Sequence, residues 1–150
     1  MITVLVVSAA LVSLCFFIHL AVLTRLAAMV YHPERSPRRP LLLVLFSLFA
    51  THLFEVLLYG LALYALDVWG YGRLTGAVVG GPGWLVDHFY FSIASYTTLG
   101  IGDIIAEGPI RIIAGIEALN GLVLVAWSAS FTYLAMERLW TPQASGGELD

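Results

Sequence analysis

A short glycine-rich stretch holds the residues of this sequence whose types and spacing could do chemistry. Residues 95–103 read Ser-Tyr-Thr-Thr-Leu-Gly-Ile-Gly-Asp, so two glycines alternate with apolar residues between a threonine pair and an acid. Glycine adopts backbone conformations that other residues avoid, and this freedom lets several successive carbonyl groups point the same way. A ring of such carbonyls can replace the water shell of a monovalent cation. The spacing therefore predicts a cation-binding loop, whereas a G-x-G pair alone would indicate only a turn.

The composition places this loop in a lipid bilayer. The chain has 150 residues, of which 60% are hydrophobic and only 11% are charged, and its mean hydropathy is +0.91. A soluble domain of this size could not bury so many apolar side chains. Seven basic residues and a net charge of −3 provide no patch for nucleic acid. No nucleophile and base lie at a spacing that favours catalysis, so we expect no enzyme and no catalytic residue.

Three long apolar runs predict three transmembrane helices. They cover residues 1–30, 41–66 and 110–139, and each exceeds the roughly 20 residues that cross a hydrocarbon core. The first run is too long for a signal-peptide core and follows no basic residue, so we expect an accessory helix that stays in the membrane.

The basic loop between the first two spans predicts the orientation. Residues 31–40 carry three arginines, which the positive-inside rule places in the cytoplasm. The N-terminus and residues 67–109 are then outside. The polar, acidic tail over residues 140–150 is inside and expected to be disordered. We expect no soluble regulatory domain in this chain.

The segment that follows the second span is too short to cross the membrane again. Residues 67–83 are rich in glycine and predict an irregular extracellular turret. Residues 84–97 are apolar and have the length of a re-entrant half-helix. Irregular backbone at membrane depth survives only when protein buries it or when it lines water. Residues 98–103 must therefore lie on the axis of an assembly larger than one chain.

This order of elements resembles the pore domain of potassium channels, especially small bacterial channels with one pore loop per chain. Residues 97–98 match the threonine pair before the family's selectivity filter, and Gly100, Gly102 and Asp103 match its two glycines and aspartate. Ile101 replaces the tyrosine or phenylalanine that normally braces the filter. This departure from the family's pattern leaves open a weakly selective cation channel.

The resemblance implies a role for each residue of the loop. The carbonyls of Thr98, Leu99, Gly100 and Ile101, with the Thr98 hydroxyl, would form stacked potassium sites, and Gly102 would shape the outer mouth. The half-helix would aim the negative end of its dipole at a water-filled cavity below the filter.

Four residues are candidates to support the filter: Thr97, Tyr90, Asp103 and Glu117. Asp103 either bonds behind the filter, with Tyr90 as the candidate donor, or is a solvated charge at the mouth that attracts cations. Glu117 either supports the rear of the filter or adds negative charge near the cavity.

The third span offers a candidate hinge and a candidate cavity lining. Gly121 could permit bending or allow close packing against a neighbouring helix, of which packing is the commoner use. Helical periodicity from that point puts Leu122, Val125 and Ala129 on one face, which could line the cavity.

Ionisable residues inside the spans predict a further functional cluster. His52 and Glu55 lie one turn apart on one face of the second span, and His19 lies in the first. These residues could form a proton-sensitive gate with His52 as the titrating group. A hydrogen-bonded clamp between the two spans is the interpretation we favour. A remote alternative has His19 and His52 ligating a haem.

Together these features predict an all-α membrane protein with three transmembrane helices, a re-entrant pore helix and a filter loop. Four copies would assemble as a tetrameric pore, since one loop supplies a quarter of a filter. The predicted function is a passive channel for monovalent cations, potassium first, in the bacterial inner membrane, with no cofactor besides the permeant ion. A non-conducting regulatory subunit with the same fold is the alternative. No arginine-repeat voltage sensor is present, which leaves pH, lipid tension or constitutive leak as gating modes.

Overall fold

Three long helices, one short helix and a two-stranded sheet make up the fold. The computed structural model describes residues 1–30, 38–77 and 84–140. The elements in chain order are α1 (Ile2–Val30), α2 (Arg38–Val68), β1 (Arg73–Gly76), α3 (Leu85–Tyr96), β2 (Ile104–Glu107) and α4 (Ile110–Trp140). Helices α1, α2 and α4 are each long and apolar enough to cross a membrane. The mostly helical class and the three predicted spans are therefore confirmed.

The long helices extend beyond some of the predicted bounds. Helix α2 begins at Arg38, so Pro40 lies in its first turn, where the backbone N–H has no partner within the helix in any case. Helix α4 ends at Trp140, which the sequence assigned to the tail. The rest of the predicted tail, over 141–150, and most of the predicted basic loop, over 31–37, lie outside the described residues.

Part of the predicted irregular turret is a β-strand. Strand β1 pairs antiparallel with β2, so that Gly76 lies opposite Ile104. Leu74 and Ile104 are both buried, which gives the small sheet an apolar side. A Cβ at Gly76 would overlap the Asp103 carbonyl, so only glycine allows this close approach. The prediction of a purely all-α fold is corrected by this sheet, which ties the turret to the segment directly after the glycine loop. Residues 78–83 of the predicted turret lie outside the described part of the chain.

Burial, rather than a polar stripe, distinguishes the packing faces of the long helices. Helix α1 buries one residue about every fourth position, which is the spacing of a single helical face. These residues are Val4, Ser8, Leu11, Cys15, His19, Leu23, Leu26 and Val30. Helix α1 packs against α2 and α4, and α3 also packs against α2 and α4. The short helix is thereby held by the long helices.

Candidate functional site

Helix α3 leads directly into the glycine loop. Its 12 residues span about 18 Å at the usual helical rise, well short of the roughly 30 Å hydrocarbon core. The helix closes at Thr97, whose backbone N–H and hydroxyl both donate to the Ile93 carbonyl, at 3.1 and 2.7 Å. The Thr98 N–H donates to the Ser95 carbonyl at 2.9 Å. The loop therefore leaves a well-capped helix end.

The backbone of the loop alternates between two conformations. Thr98, Gly100 and Gly102 have φ angles of 57°, 54° and 82°, whereas Leu99 and Ile101 between them do not have positive φ. Positive φ at every second residue frees the backbone from the usual extended or helical path, so that successive carbonyl groups can point to the same side. Left-handed backbone is rare for a residue other than glycine, and in the described part of the chain Thr98 alone of the non-glycine residues adopts it.

The carbonyls and apolar side chains of the loop are largely unpaired within the described part of the single chain. Among the described residues, no backbone N–H donates to the carbonyl oxygens of residues 98–101. The side chains of Leu99 and Ile101 are 66% and 54% exposed. Unpaired carbonyls at membrane depth are costly unless they face water, ions or other protein. The carbonyls and the two exposed side chains of the loop are therefore free to meet partners from outside the chain.

Asp103, at the C-terminal end of the loop, forms hydrogen bonds through both carboxylate oxygens. The Tyr90 hydroxyl donates to its Oδ2 at 2.8 Å, and the Ile104 N–H donates to its Oδ1 at 2.9 Å. The hydrogen bond to Asp103 raises the pKa of the Tyr90 hydroxyl. The hydrogen-bonded arrangement is present, and Asp103 is also exposed in the single chain, so its second role as a charge that attracts cations stays a prediction.

Glu117 contacts α3 rather than the loop itself. Its side chain is fully buried and touches the Ser92 hydroxyl, which also donates to the Val56 carbonyl at 2.8 Å. Serine carries one hydroxyl hydrogen, so both contacts are hydrogen bonds when Glu117 is protonated and donates to Ser92. This contact joins α4 to the middle of α3. The other role, a negative charge near the cavity, stays a prediction.

Gly121 brings α4 into direct contact with the end of α3. A Cβ at this position would overlap the backbone carbonyl of Tyr96. The structure therefore shows Gly121 in a close-packing role. Leu122, Val125 and Ala129 are exposed in the single chain, which is compatible with lining a cavity in an assembly, and that assignment stays a prediction.

The three ionisable residues predicted to cluster are in contact. His19 Nδ1 lies 3.0 Å from Glu55 Oε1, and His52 Nδ1 lies 3.3 Å from Glu55 Oε2. His19 and Glu55 are fully buried, and the imidazole centroids of His19 and His52 are 5.2 Å apart. The cluster joins α1 to α2, as the clamp interpretation requires.

Two further residues complete this cluster, and the sequence reasoning missed both. The Tyr96 hydroxyl donates to Glu55 Oε2 at 2.6 Å and lies 2.8 Å from His52 Nδ1. The Ser128 hydroxyl lies 2.9 Å from His52 Nε2 and 3.0 Å from His19 Nε2. A signal was present at Tyr96, because a phenolic hydroxyl at membrane depth needs a hydrogen-bonding partner. We call these five residues, which come from all four helices, the polar ring.

The contacts of the polar ring bear on the haem hypothesis. Each imidazole nitrogen of His19 and His52 has a partner within this chain. Haem ligation would need one nitrogen of each histidine to be directed at the iron. The geometry therefore favours the hydrogen-bonded clamp over a haem site.

Comparison with known proteins identifies one related family. The family model described as "Ion channel" matches residues 51–138, which are more than half of the chain. The matched range includes α3, the glycine loop and most of α2 and α4, whereas α1 lies outside it. No curated protein and no solved structure gives a significant match.

Proposed function

Because the chain belongs to the ion-channel family of potassium-channel pores, we propose that it conducts potassium through a filter formed by residues 98–102 of four copies. Membership of this family and three apolar helices make it a membrane protein with an ion-channel role. Such a role is passive transport rather than catalysis.

The observation that carries this proposal is the backbone of residues 98–102. Its φ angles alternate in sign, and its carbonyls accept no backbone hydrogen bond from the described residues. Carbonyls turned to one side and left unpaired are suited to replace the hydration shell of a cation. The permeant ion would therefore supply the partner that the loop needs.

A homotetramer supplies the rest of the site. One loop lines one side of a pore, and a closed rotational symmetry lets identical loops face each other around an axis. The exposed side chains of Leu99 and Ile101 would then pack against protein in the assembly. We place the N-terminus outside and the C-terminus in the cytoplasm, following the basic loop.

Preference for potassium needs a loop of defined width, and Ile101 lacks the aromatic ring that often braces it. Two other contacts support its outer end here. Tyr90 bonds Asp103, and the Ala77 N–H donates to the Asp103 carbonyl at 2.8 Å. These braces favour potassium selectivity over a weakly selective cation pathway.

The test is rubidium and potassium flux into liposomes that contain the purified protein, with sodium as competitor and barium as blocker. Gly100→Ala should abolish flux, because Gly100 has a φ of 54° that alanine tolerates poorly. Gly70→Ala is the matched control. Gly70 has a φ of 76°, and a Cβ meets no atom within 4 Å at either position, but Gly70 lies outside the loop.

Each outcome of this flux experiment decides between hypotheses. We expect barium-sensitive flux from the wild type and from Gly70→Ala, and none from Gly100→Ala. Folded wild-type protein that carries no cation at any pH would refute the proposal and favour the non-conducting subunit. Equal flux of sodium and potassium would refute the proposed potassium selectivity and favour the weakly selective channel.

A further inference from the structure

We infer that the polar ring positions the threonine end of the conducting loop, and that α1 thereby influences ion selectivity through His19. This inference rests on the proposed function. It assigns a positioning role to residues that do not touch the ion, one of them on a helix that the family match does not include.

The polar ring is a closed cycle of hydrogen bonds. Glu55 Oε1 contacts His19, and His19 contacts Ser128. Ser128 in turn contacts His52, and His52 contacts Tyr96. The Tyr96 hydroxyl closes the cycle at Glu55 Oε2. These five contacts measure between 2.6 and 3.0 Å. Every member has two neighbours in the cycle. Removal of any one side chain therefore leaves two others without one of their hydrogen-bonding partners.

The hydrogens of the polar ring match its contacts. A neutral carboxylic acid, two neutral imidazoles, one phenol and one aliphatic hydroxyl carry one polar hydrogen each, and the cycle has five contacts to fill. Each member then donates one hydrogen bond and accepts one. Transfer of the proton from Glu55 to His19 preserves this count and leaves the cluster neutral overall. A neutral, fully bonded cluster is the form that is least costly inside a membrane.

Tyr96 connects the polar ring to the loop. It is the last residue of α3, and Thr98, where the left-handed alternation begins, follows two residues later. Its side chain is 2% exposed, its hydroxyl is held by Glu55, and its carbonyl lies where a Cβ on Gly121 would be. The residue is therefore restrained at both ends. Because the side chain is buried, we expect a shift of its hydroxyl to be passed on to the helix end next to Thr98.

His19 makes α1 part of this restraint. It supplies two of the five contacts, to Glu55 and to Ser128. An apolar residue in its place would leave the Glu55 Oε1 and one side of the Ser128 hydroxyl without these partners. The change that costs the least free energy is a rearrangement of Glu55 and Tyr96. This rearrangement displaces the threonine end of the loop.

The experiment compares permeability ratios of potassium to sodium, measured from reversal potentials under bi-ionic conditions in planar bilayers. We expect His19→Phe and Tyr96→Phe each to lower the permeability ratio by about threefold. A change of this size corresponds to the lower end of the free energy that one net hydrogen bond contributes. The double variant should show little further change, because both substitutions open the same cycle. Phe17→Leu, at a residue of α1 that is 72% exposed, is the control and should keep the wild-type ratio.

A purely structural role predicts a different result. It would lower the yield of folded protein while leaving the permeability ratio of the surviving channels unchanged, and that outcome would overturn the inference. Ser128→Ala removes one hydroxyl with little change in shape, and it provides the same test if His19→Phe does not fold. A wild type that carries no potassium current would refute the proposed function as well, whereas a conducting wild type with unchanged variants refutes the positioning role alone.

Discussion

Thr98 combines two properties that rarely occur together in one residue. It is β-branched, yet its φ is 57°, a conformation that costs such a residue roughly 1–2 kcal/mol. Strain of this kind persists only where surrounding contacts impose it, and it is concentrated at functional sites. Here the capped end of α3 and the hydrogen bond from the Thr98 N–H to the Ser95 carbonyl hold the residue. The sequence motif identified the loop, but the backbone angles give it a physical basis for binding a cation.

The hydrogen bond between Tyr90 and Asp103 leads to a prediction about alkaline pH. The bond raises the pKa of Tyr90 in the folded protein, so its stabilising effect is complete below the ordinary tyrosine pKa of about 10. The effect is lost as the pH rises through the folded value. We expect the wild-type assembly to lose thermal stability above that pH.

Tyr90→Phe is the matched variant for this prediction. It should be less stable than the wild type at neutral pH and should show a smaller loss between neutral and alkaline pH. Melting curves of the detergent-solubilised protein over this range provide the measurement. Parallel curves for the two proteins at every pH would contradict the role assigned to the bond.

Glu117 allows a test of protonation at a buried position. Glutamine keeps the shape of the side chain and can donate to Ser92 as a protonated Glu117 does. We therefore expect Glu117→Gln to retain wild-type stability, and Glu117→Ala to lose about 2–4 kcal/mol through the cavity and the lost hydrogen bond. Unfolding in denaturant, followed by tryptophan fluorescence, would measure both. Strong destabilisation by glutamine would show that the carboxylate is charged.

At the scale of elements, the three spans and the short helix α3 were predictable, but the sheet was not. The apolar runs exceed the membrane thickness, and length alone identifies them as helices. Strand β1 has four residues, includes two polar ones and ends in glycine, so it carries no periodic signal. Its conformation depends on pairing with β2, which lies beyond the glycine loop in sequence. Such a distant pairing is not visible in a local pattern.

The contact between α4 and α3 provides an element-scale prediction. Gly121→Ala places a methyl group against the Tyr96 carbonyl, and overpacking of this kind costs about 1–3 kcal/mol. Gly115→Ala, on the same helix with no atom within 4 Å of its Cβ, should be neutral or slightly stabilising. Thermal melts of both variants provide the measurement. Equal melting temperatures would show that α4 does not need glycine for close packing at this point.

On the scale of the whole molecule, the sequence predicted the members of the polar cluster on α1 and α2 but not its closure. His19, His52 and Glu55 stand out because ionisable residues are rare inside spans. Ser128 is an ordinary hydroxyl in an apolar helix, and its role appears only when α1 and α4 pack together. A single sequence predicts faces of helices, whereas their mutual arrangement sets which polar groups meet.

The proposed assembly of four loops into one filter predicts the effect of mixing subunits. If one Gly100→Ala subunit disables a channel, equal co-expression with wild type leaves about one-sixteenth of the flux in a tetramer with random mixing. If each chain formed its own pore, half of the flux would remain. Liposome flux, normalised to total protein, distinguishes these outcomes, and Gly70→Ala in place of Gly100→Ala should leave flux unchanged.

The most direct test of the central claim is to locate the permeant ion. Crystals of the wild-type protein grown in rubidium salt would show heavy-ion positions by anomalous scattering. We predict a row of peaks on a fourfold axis, surrounded by the carbonyl oxygens of residues 98–101 from four chains. A symmetric assembly with no ion on its axis, or ions bound only away from these residues, would contradict the account.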